Sequence, residues 1–490
     1  MTPNSPRFLA DNGQNIAPNY KKYLDYRERL KRFVYVSSDF SESGTNIPAE
    51  SISQDNSVIS WDDGNGAFNQ YISVLATEYR LLKNGKQDYS STIKQLYYAL
   101  RSFERLDRSA ESVYRADHSM QNNDLNGFFL RYDVNDTFWN RYRKGGTNPY
   151  FEQVQANYDP GMQNSLDNCV HYLESFALVN ALVDSETVDG TEIDFKQIAR
   201  DNAQRIVQNM YHPTEPVPVI DFPLLKKIYS YTWYLKNPIT NEFVPVKYGS
   251  GLDGTMLYIS YGFTKSANRI LGAKRFKEMR FSYEIAKFIL TYPVTDYSFE
   301  LNVKQKKGIF PLPGISYKDY SFYMTLAGNR RRVFRWPWFP MFAKTLATQT
   351  KTWNIGQDDY LIRSLCATGN IDIVKGRSPY EVLIQKQFES SKLKYEHLPL
   401  IWAIVMNNFS YIREKDRTYI KSLLDAAPQG GPYKFLNNGT LDFGQYEWSS
   451  PSRLVWPDRL GDVNKPVTGY FNGLDYMFLH NLYLLAGGRY

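Results

Sequence analysis

The sequence predicts a mainly α protein whose helical hairpins close into an (α/α)6 toroid. Three observations lead there. Apolar residues recur at the 3.6-residue period over most of the chain after Trp61. The periodic stretches come in pairs joined by short polar connections, about six pairs in all. Long loops rich in Tyr and Trp separate the pairs, and 16% of the 490 residues are aromatic. A right-handed solenoid of helix pairs uses the same parts. Its repeats would be more equal in length, and no tetratricopeptide- or ankyrin-like period is present.

Residues 1–60 read as an N-terminal arm rich in Ser, Asn and Pro, with one charged amphipathic helix over Tyr20–Phe33. Residues 61–490 read as a single toroid domain. Its first helix starts near Gly66, carries Phe68, Tyr71, Ile72, Leu75, Tyr79 and Leu82 on one stripe, and ends at Asn84-Gly85. Ser90-Ser91 caps the next, in which Ile93, Leu96, Tyr97, Leu100, Phe103 and Leu106 repeat at helical spacing. Further pairs are expected at Gly161–Val183 with Asp194–Met210, Gly254–Leu271 with Phe276–Leu290, Tyr317–Ala327 with Phe339–Thr348, and His397–Met406 with Lys415–Asp425. Leu474–Leu485 is the last helix, and Tyr20–Phe33 is its expected partner. Short strand signals at Val217–Ile220, Phe243–Lys247 and Phe299–Val303 read as small hairpins within loops.

Charge and cysteine usage narrow the function. The balance of 58 basic and 51 acidic residues leaves a net charge of +7, mild for this length. A nucleic-acid binder concentrates its basic residues in a stripe. Here the densest run, Arg330-Arg331-Arg332 and Arg335, is interleaved with Phe334, Trp336 and Trp338. Guanidinium groups bind carboxylate or sulfate through two parallel hydrogen bonds, so this run reads either as a solvated loop or as a clamp for an anionic sugar. No apolar run reaches the length of a membrane span, and the polar start, Met-Thr-Pro-Asn-Ser-Pro-Arg, is expected of either a cytoplasmic protein or a mature or trimmed chain. Cys169 and Cys366 make no CxxC, and whether they pair is left open. A chain rich in Tyr, Trp and Asn and poor in Cys resembles secreted bacterial glycan-handling proteins. That resemblance implies a mature secreted, periplasmic or cell-surface chain.

Four segments carry candidate chemistry. Trp61-Asp62-Asp63-Gly64 precedes the first long helix, where the helix dipole and free N–H groups stabilise carboxylates. Asp63 is a candidate base beside a stacking Trp61, the alternative being an ordinary N-cap. In the second segment Asn164, Asp167 and His171 share one helix face, so the carboxylate can orient the imidazole and raise its basicity. The alternative is a satisfied polar cluster between helices. The third segment is the loop from Asp117 to Asp133, carrying His118, Asp124, Asn126 and Arg131. Its acidic spacing is not that of an EF-hand. The fourth runs from Glu447 to Tyr476. There Trp448 and Trp456 are expected to stack on sugars, and Asp475 and Tyr476 sit at the start of the last helix. Five histidines with no HExxH make a zinc catalyst unsupported, and no metal is expected. No Walker A loop, strand-linked GxGxxG or GxSxG elbow is present, so no cofactor is expected either.

Hairpin pattern, size and aromatic loops together resemble the (α/α)6-toroid glycoside hydrolases and polysaccharide lyases, over most of the chain after residue 60. The likeness is architectural and matches no one family's motif. It implies a cleft at one end of the toroid, with catalytic groups at helix starts and in loops. The expected protein is a carbohydrate-active enzyme cleaving a polysaccharide or oligosaccharide, with the basic balance favouring an acidic glycan. Acid/base hydrolysis would use Asp63, Asp167, His171 and Asp475 as catalytic groups. Trp61, Arg131, Asn164, Arg335, Trp448, Trp456 and Tyr476 would bind substrate. The alternatives are a lyase acting at a uronic acid, with His171 or a Tyr as base, and a non-catalytic glycan-binding or surface-assembly protein.

Overall fold

The computed structural model describes residues 17–53, 58–61, 64–143, 155–157, 164, 166–210, 235–241, 397–407, 409, 412, 414–427, 434–435, 441–442 and 469–490. Among these the chain is mainly helical with a few short strands. The elements are α1 (Pro18–Leu30), β1 (Ser51–Ser53), β2 (Val58–Ser60), α2 (Gly64–Asn84), α3 (Ser90–Ser109), α4 (Asp136–Arg143), β3 (Gln155–Asn157), α5 (Leu166–Leu182), β4 (Glu186–Val188), β5 (Thr191–Ile193), α6 (Phe195–Asn209), α7 (His397–Met406), α8 (Glu414–Ala426), β6 (Lys434–Phe435), β7 (Leu441–Asp442), β8 (Gly469–Phe471) and α9 (Leu474–Leu485). The hairpins expected within residues 254–348, and all three expected strand signals, lie outside the described residues.

Side-chain pattern decides which helices are central. A helix that is apolar all round has no face to give to water and belongs inside. α9 is buried from Leu474 through Leu485, and α2 buries Phe68, Tyr71, Ile72, Val74, Leu75 and Ala76 completely. α2 packs most extensively on α5 and α9, and α7 lies against α5 and α9. α3 and α6 are amphipathic and pack outside, α3 on α2 and α6 on α5. α1 and α8 cover α9.

α2 and α5 run parallel, because contacts advance together along both. Phe68 meets Tyr172 edge-on at 6.0 Å, Ser73 donates to Ser175 at 3.1 Å, and Arg80 Nε donates to the Leu182 carbonyl at 2.6 Å. α2 does not end on its glycine. Lys86 takes the left-handed conformation at φ 57°, with Gln87 N–H on the Leu82 carbonyl at 2.9 Å and Lys86 N–H on that of Lys83 at 3.1 Å. These two bonds form the Schellman closure one residue later than Asn84-Gly85 suggests. Asp194 caps α6 by accepting the Gln197 N–H at 3.0 Å.

Residues 1–60 are not an arm from Ala17 onward. β1 pairs antiparallel with both β2 and β8, and β2 pairs parallel with β3, in the order β3-β2-β1-β8. Ile47, Ala49, Ile52 and Ile59 belong to the same apolar core as α2 and α9. The second unexpected element is the β4–β5 hairpin. Asp189 and Gly190 both have positive φ, as a two-residue type I′ turn requires.

Two glycines test the backbone. At Gly127, φ +91°, an added Cβ would fall 2.2 Å from the Arg205 carbonyl group, whereas at Gly190, φ +82°, it would meet nothing within 4 Å. Gly190→Ala therefore bears only the conformational penalty, about 1 kcal/mol. Gly127→Ala must also move backbone and costs about 3 kcal/mol or more. Thermal unfolding of the two variants should separate them in that order.

Candidate functional site

Strand register brings together the starts of α2 and α9, and the parallel contact of α5 with α2 puts the α5 start at the same end. β2, β3 and β8 run in one direction, and their last residues form one row across the sheet. Ser60 lies opposite both Ser51 and Asn157, and Ser51 lies opposite Phe471. α2, α5 and α9 are the next helices after these strands. Their N-terminal ends carry partial positive charge. Those ends belong to the first, second and fourth segments singled out in the sequence, which are widely separated along the chain.

The start of α9 is built by Asn472. Its Nδ2 donates to the Ala49 carbonyl at 3.0 Å, and its Oδ1 accepts the Leu474 N–H at 3.0 Å. Gly473, at φ +76°, turns the chain where a Cβ would strike the Tyr26 ring and Arg29. Asp475 is 4% exposed, and its Oδ1 accepts the Tyr476 N–H at 2.8 Å. The neighbouring cation is Arg29, stacked on Tyr26 at 4.4 Å. Burial pulls this guanidinium below its ordinary range, while the Tyr26 hydroxyl and the Asp475 carboxylate oppose that shift. No sequence spacing announces the Arg29–Asp475 relation, since the two meet only through the α1–α9 contact.

Before α5, the Asn164 side chain is wholly buried. Its N–H donates to the Phe129 carbonyl at 3.0 Å and its Nδ2 to Cys169 Sγ at 3.4 Å. Its Oδ1 is buried with no hydrogen-bond partner among the described residues. Asn164, Asn168, His171 and Ser175 recur at helical spacing, and all are buried. They open a polar seam against α2, where the Ser175 hydroxyl is shared between the carbonyls of Asn69 at 2.9 Å and His171 at 3.0 Å. The seam continues to α9 through Asn481, which donates to Thr77 Oγ1 at 3.2 Å and Tyr23 Oη at 3.2 Å.

The other expected site residues fall in different places. Trp61 is 1% exposed, donates its indole N–H to the Ile47 carbonyl at 3.2 Å, and meets Phe138 and Trp139 edge-on. Tyr476 is fully buried, stacks on Tyr26 at 4.7 Å and donates to the Asn19 carbonyl at 3.1 Å. Trp61, expected to stack on sugar, and Tyr476, expected to bind substrate, are both core residues packed on other rings. Arg131 is half-buried, two positions from the Phe129 carbonyl that holds Asn164. Asp63, Arg335, Trp448, Trp456 and Cys366 lie outside the described residues. Asp167 is described only as a backbone position in the first turn of α5.

The acidic loop residues are engaged by arginines. Arg115 grips Asp124 through both guanidinium nitrogens, and Arg105 holds Asp133 at 2.6 and 3.0 Å. Among the described residues no group of His, Cys, Asp and Glu is arranged to hold a metal ion. No described helix is long and apolar enough to cross a membrane. Comparison with protein-family models, with curated proteins and with solved structures found no match for this chain.

His480 bounds the polar seam on the α1 side. Its ring stacks on Tyr23 at 4.7 Å, its Nδ1 faces Asn481 Oδ1 at 3.1 Å, and its Nε2 faces the Tyr490 hydroxyl at 2.9 Å. A neutral ring protonated on Nδ1 satisfies both contacts. Burial pushes its pKa down to about 4, against the pull of the Asn481 hydrogen bond. The unfolded chain binds that proton near pH 6.5, so the stabilisation from the neutral ring is present above pH 6.5 and lost as pH falls through 4. Denaturant midpoints should decline over that window, by up to about 3 kcal/mol from this one group. His480→Gln should remove that part of the decline.

Proposed function

We propose that the protein is a carbohydrate-active enzyme of the toroid kind, acting on an acidic glycan at the shared start of α2, α5 and α9. The observation that carries this reading is the strand row with the parallel α2–α5 contact, which puts at one end three helix starts whose sequences hold Asp62-Asp63, Asn164 with Asp167, and Asp475. Acid/base cleavage of a glycosidic bond needs two carboxyl groups with opposite protonation states. The sequences of these three helix starts, drawn from distant segments, each include a carboxylate. Their dipoles favour an anionic ligand group at the same end. The parallel pair α2 and α5, with α3 and α6 as their outer partners, fits the repeating unit of a toroid. An exported protein working outside the cytoplasm fits this chemistry.

In this reading Asp475 and Asp167 are the first catalytic candidates, with Asp63 as the third carboxylate and His171 behind Asp167 on α5. Asn164 Oδ1 is an acceptor available for a sugar hydroxyl. The lyase reading draws on the same helix, since His171 and Asn164 offer a base and an amide neutraliser.

The test is a screen of purified protein against neutral and acidic polysaccharides, recording reducing ends together with the ultraviolet absorbance of an unsaturated uronic product. Reducing ends without absorbance are expected for the hydrolase. Both signals together move the assignment to the lyase, and retention in glycan gels with neither signal leaves the binding protein. Asp475→Asn keeps the oxygen that accepts the Tyr476 N–H, so it should retain the melting temperature. Its turnover, and that of Asp167→Asn, should fall on the order of 100-fold or more. Unchanged turnover in both variants overturns the assignment.

A further inference from the structure

The loop over residues 114–134 closes on α3 and α6 through buried carboxyl groups, and one of them lacks a full set of partners. Asp107, near the end of α3, is fully buried. It accepts the N–H of Asn126 at 3.1 Å and of Gly127 at 2.7 Å on Oδ1, and Arg205 Nε of α6 at 2.9 Å on Oδ2. One helical turn on, Glu111 is 1% exposed. Its Oε1 accepts Asn126 Nδ2 at 2.6 Å, while its Oε2 is buried and has no hydrogen-bond partner. Gly127 lies against the Arg205-Ile206 backbone, so the loop has no room to shift toward α6.

The charges around Glu111 do not compensate it. Asp107, one turn earlier near the end of α3, and Asp124, in the loop, both add negative charge beside it. Arg115 attracts Glu111, but its guanidinium is committed to Asp124 in a bidentate pair. Arg205 on α6 is committed to Asp107, with Glu104 at 3.9 Å. An ionised Glu111 would therefore leave one carboxylate oxygen buried without a donor, beside two other carboxylates. A neutral carboxyl avoids both penalties.

We propose that Glu111 is a proton-operated latch on the 114–134 loop: neutral, it lets the loop seat on α3 and α6, and ionised, it works against that seat. Burial pushes its pKa up to about 7, with Asp124 and Asp107 adding to the rise and the Asn126 hydrogen bond opposing it. Burial likewise raises Asp107 to about 6 against the pull of Arg205. A carboxyl raised on folding stabilises the fold at low pH, and that contribution is lost as pH rises through the folded value. The window is therefore about pH 4.5 to 7, the reverse of the one set by His480. The latch does not depend on the enzymatic reading. Because the Phe129 carbonyl of this loop holds the Asn164 N–H, its opening would reach the start of α5.

The experiment compares wild type with Glu111→Gln, which keeps an acceptor for Asn126 and removes the titration. Urea unfolding is measured at pH 5 and at pH 8. The ratio of the variant's folding constant to that of wild type should rise on the order of tenfold from pH 5 to pH 8. A ratio that stays constant or falls overturns the proposal. Hydrogen exchange of wild type at the two pH values, corrected for intrinsic rates, gives a second readout should the variant not fold. Peptides within residues 114–134 should lose protection at pH 8 relative to those of α9, and equal change in both would overturn the latch.

Discussion

The contact between the first and last helices is the constraint on which the rest of the structure depends. Tyr26 stacks on Tyr476 and Tyr23 on His480, each at 4.7 Å, and Leu30 and Phe33 continue the same buried edge. Lys22 adds a polar clasp, donating to the carbonyls of Leu424 and Asp425 at 2.8 and 3.1 Å and to that of Ala427 at the end of α8. With α1 seated there, β1 is brought to β8, and the row that brings together the starts of α2 and α9 follows. Joining segments this far apart in the chain is feasible because loop-closure entropy grows only with the logarithm of length, to about 5 kcal/mol here before constants. Burying a handful of large side chains at roughly 1.5–3 kcal/mol each exceeds that.

Buried charge is placed where elements meet, and the number of partners decides the sign of its effect. Glu78 joins α1, α2 and α3. Burial alone would raise its pKa, but Arg27 at 3.0 Å, Thr92 at 2.6 Å and the Tyr23 hydroxyl hold it below the ordinary carboxylate range. Glu111 is also buried, yet it is met only by the Asn126 amide and its own backbone N–H beside two carboxylate neighbours, and it shifts the opposite way. The same residue type is a fixed strut at one joint and a proton-sensitive joint at another. The difference lies in whether a guanidinium fork arrives.

Much of the helical scaffold was legible because it depends on local periodicity. The apolar run Leu474–Leu485 coincides with α9, and the stripes from Phe68 and Ile93 coincide with α2 and α3. The four-stranded sheet was not legible. Strands as short as Ser51–Ser53 carry no readable alternation, and that strand's partner Gly469–Phe471 comes from the other end of the chain. The β4–β5 turn did leave a local mark, Asp189-Gly190, between residues with strand propensity. Tyr476 and Trp61 expose the limit of reading aromatics. A ring with a polar tip suits a sugar platform or a core equally well, and only the Asn19 and Ile47 carbonyls show which. Asp124 and Asp133 show in the sequence only as loop acids, because Arg115 and Arg105, which occupy them, are brought there by the fold.

Loss of Trp61 and Tyr476 from the substrate-facing set changes what kind of site the scaffold supports. Stacking on these two rings cannot drive recognition, so in the proposed reading that role falls to polar groups at helix starts. Those groups come in two forms. Asp475 is fixed by the Tyr476 N–H, with Arg29 as the adjacent cation, an arrangement that keeps a carboxylate in place. Asn164 is held from both sides, by the Phe129 carbonyl and Cys169, while its Oδ1 stays buried without a donor. A buried acceptor without a donor is normally costly, and native proteins retain few of them. In the proposed reading its position just before α5 gives that cost a use, since a sugar hydroxyl at the helix start would supply the missing donor.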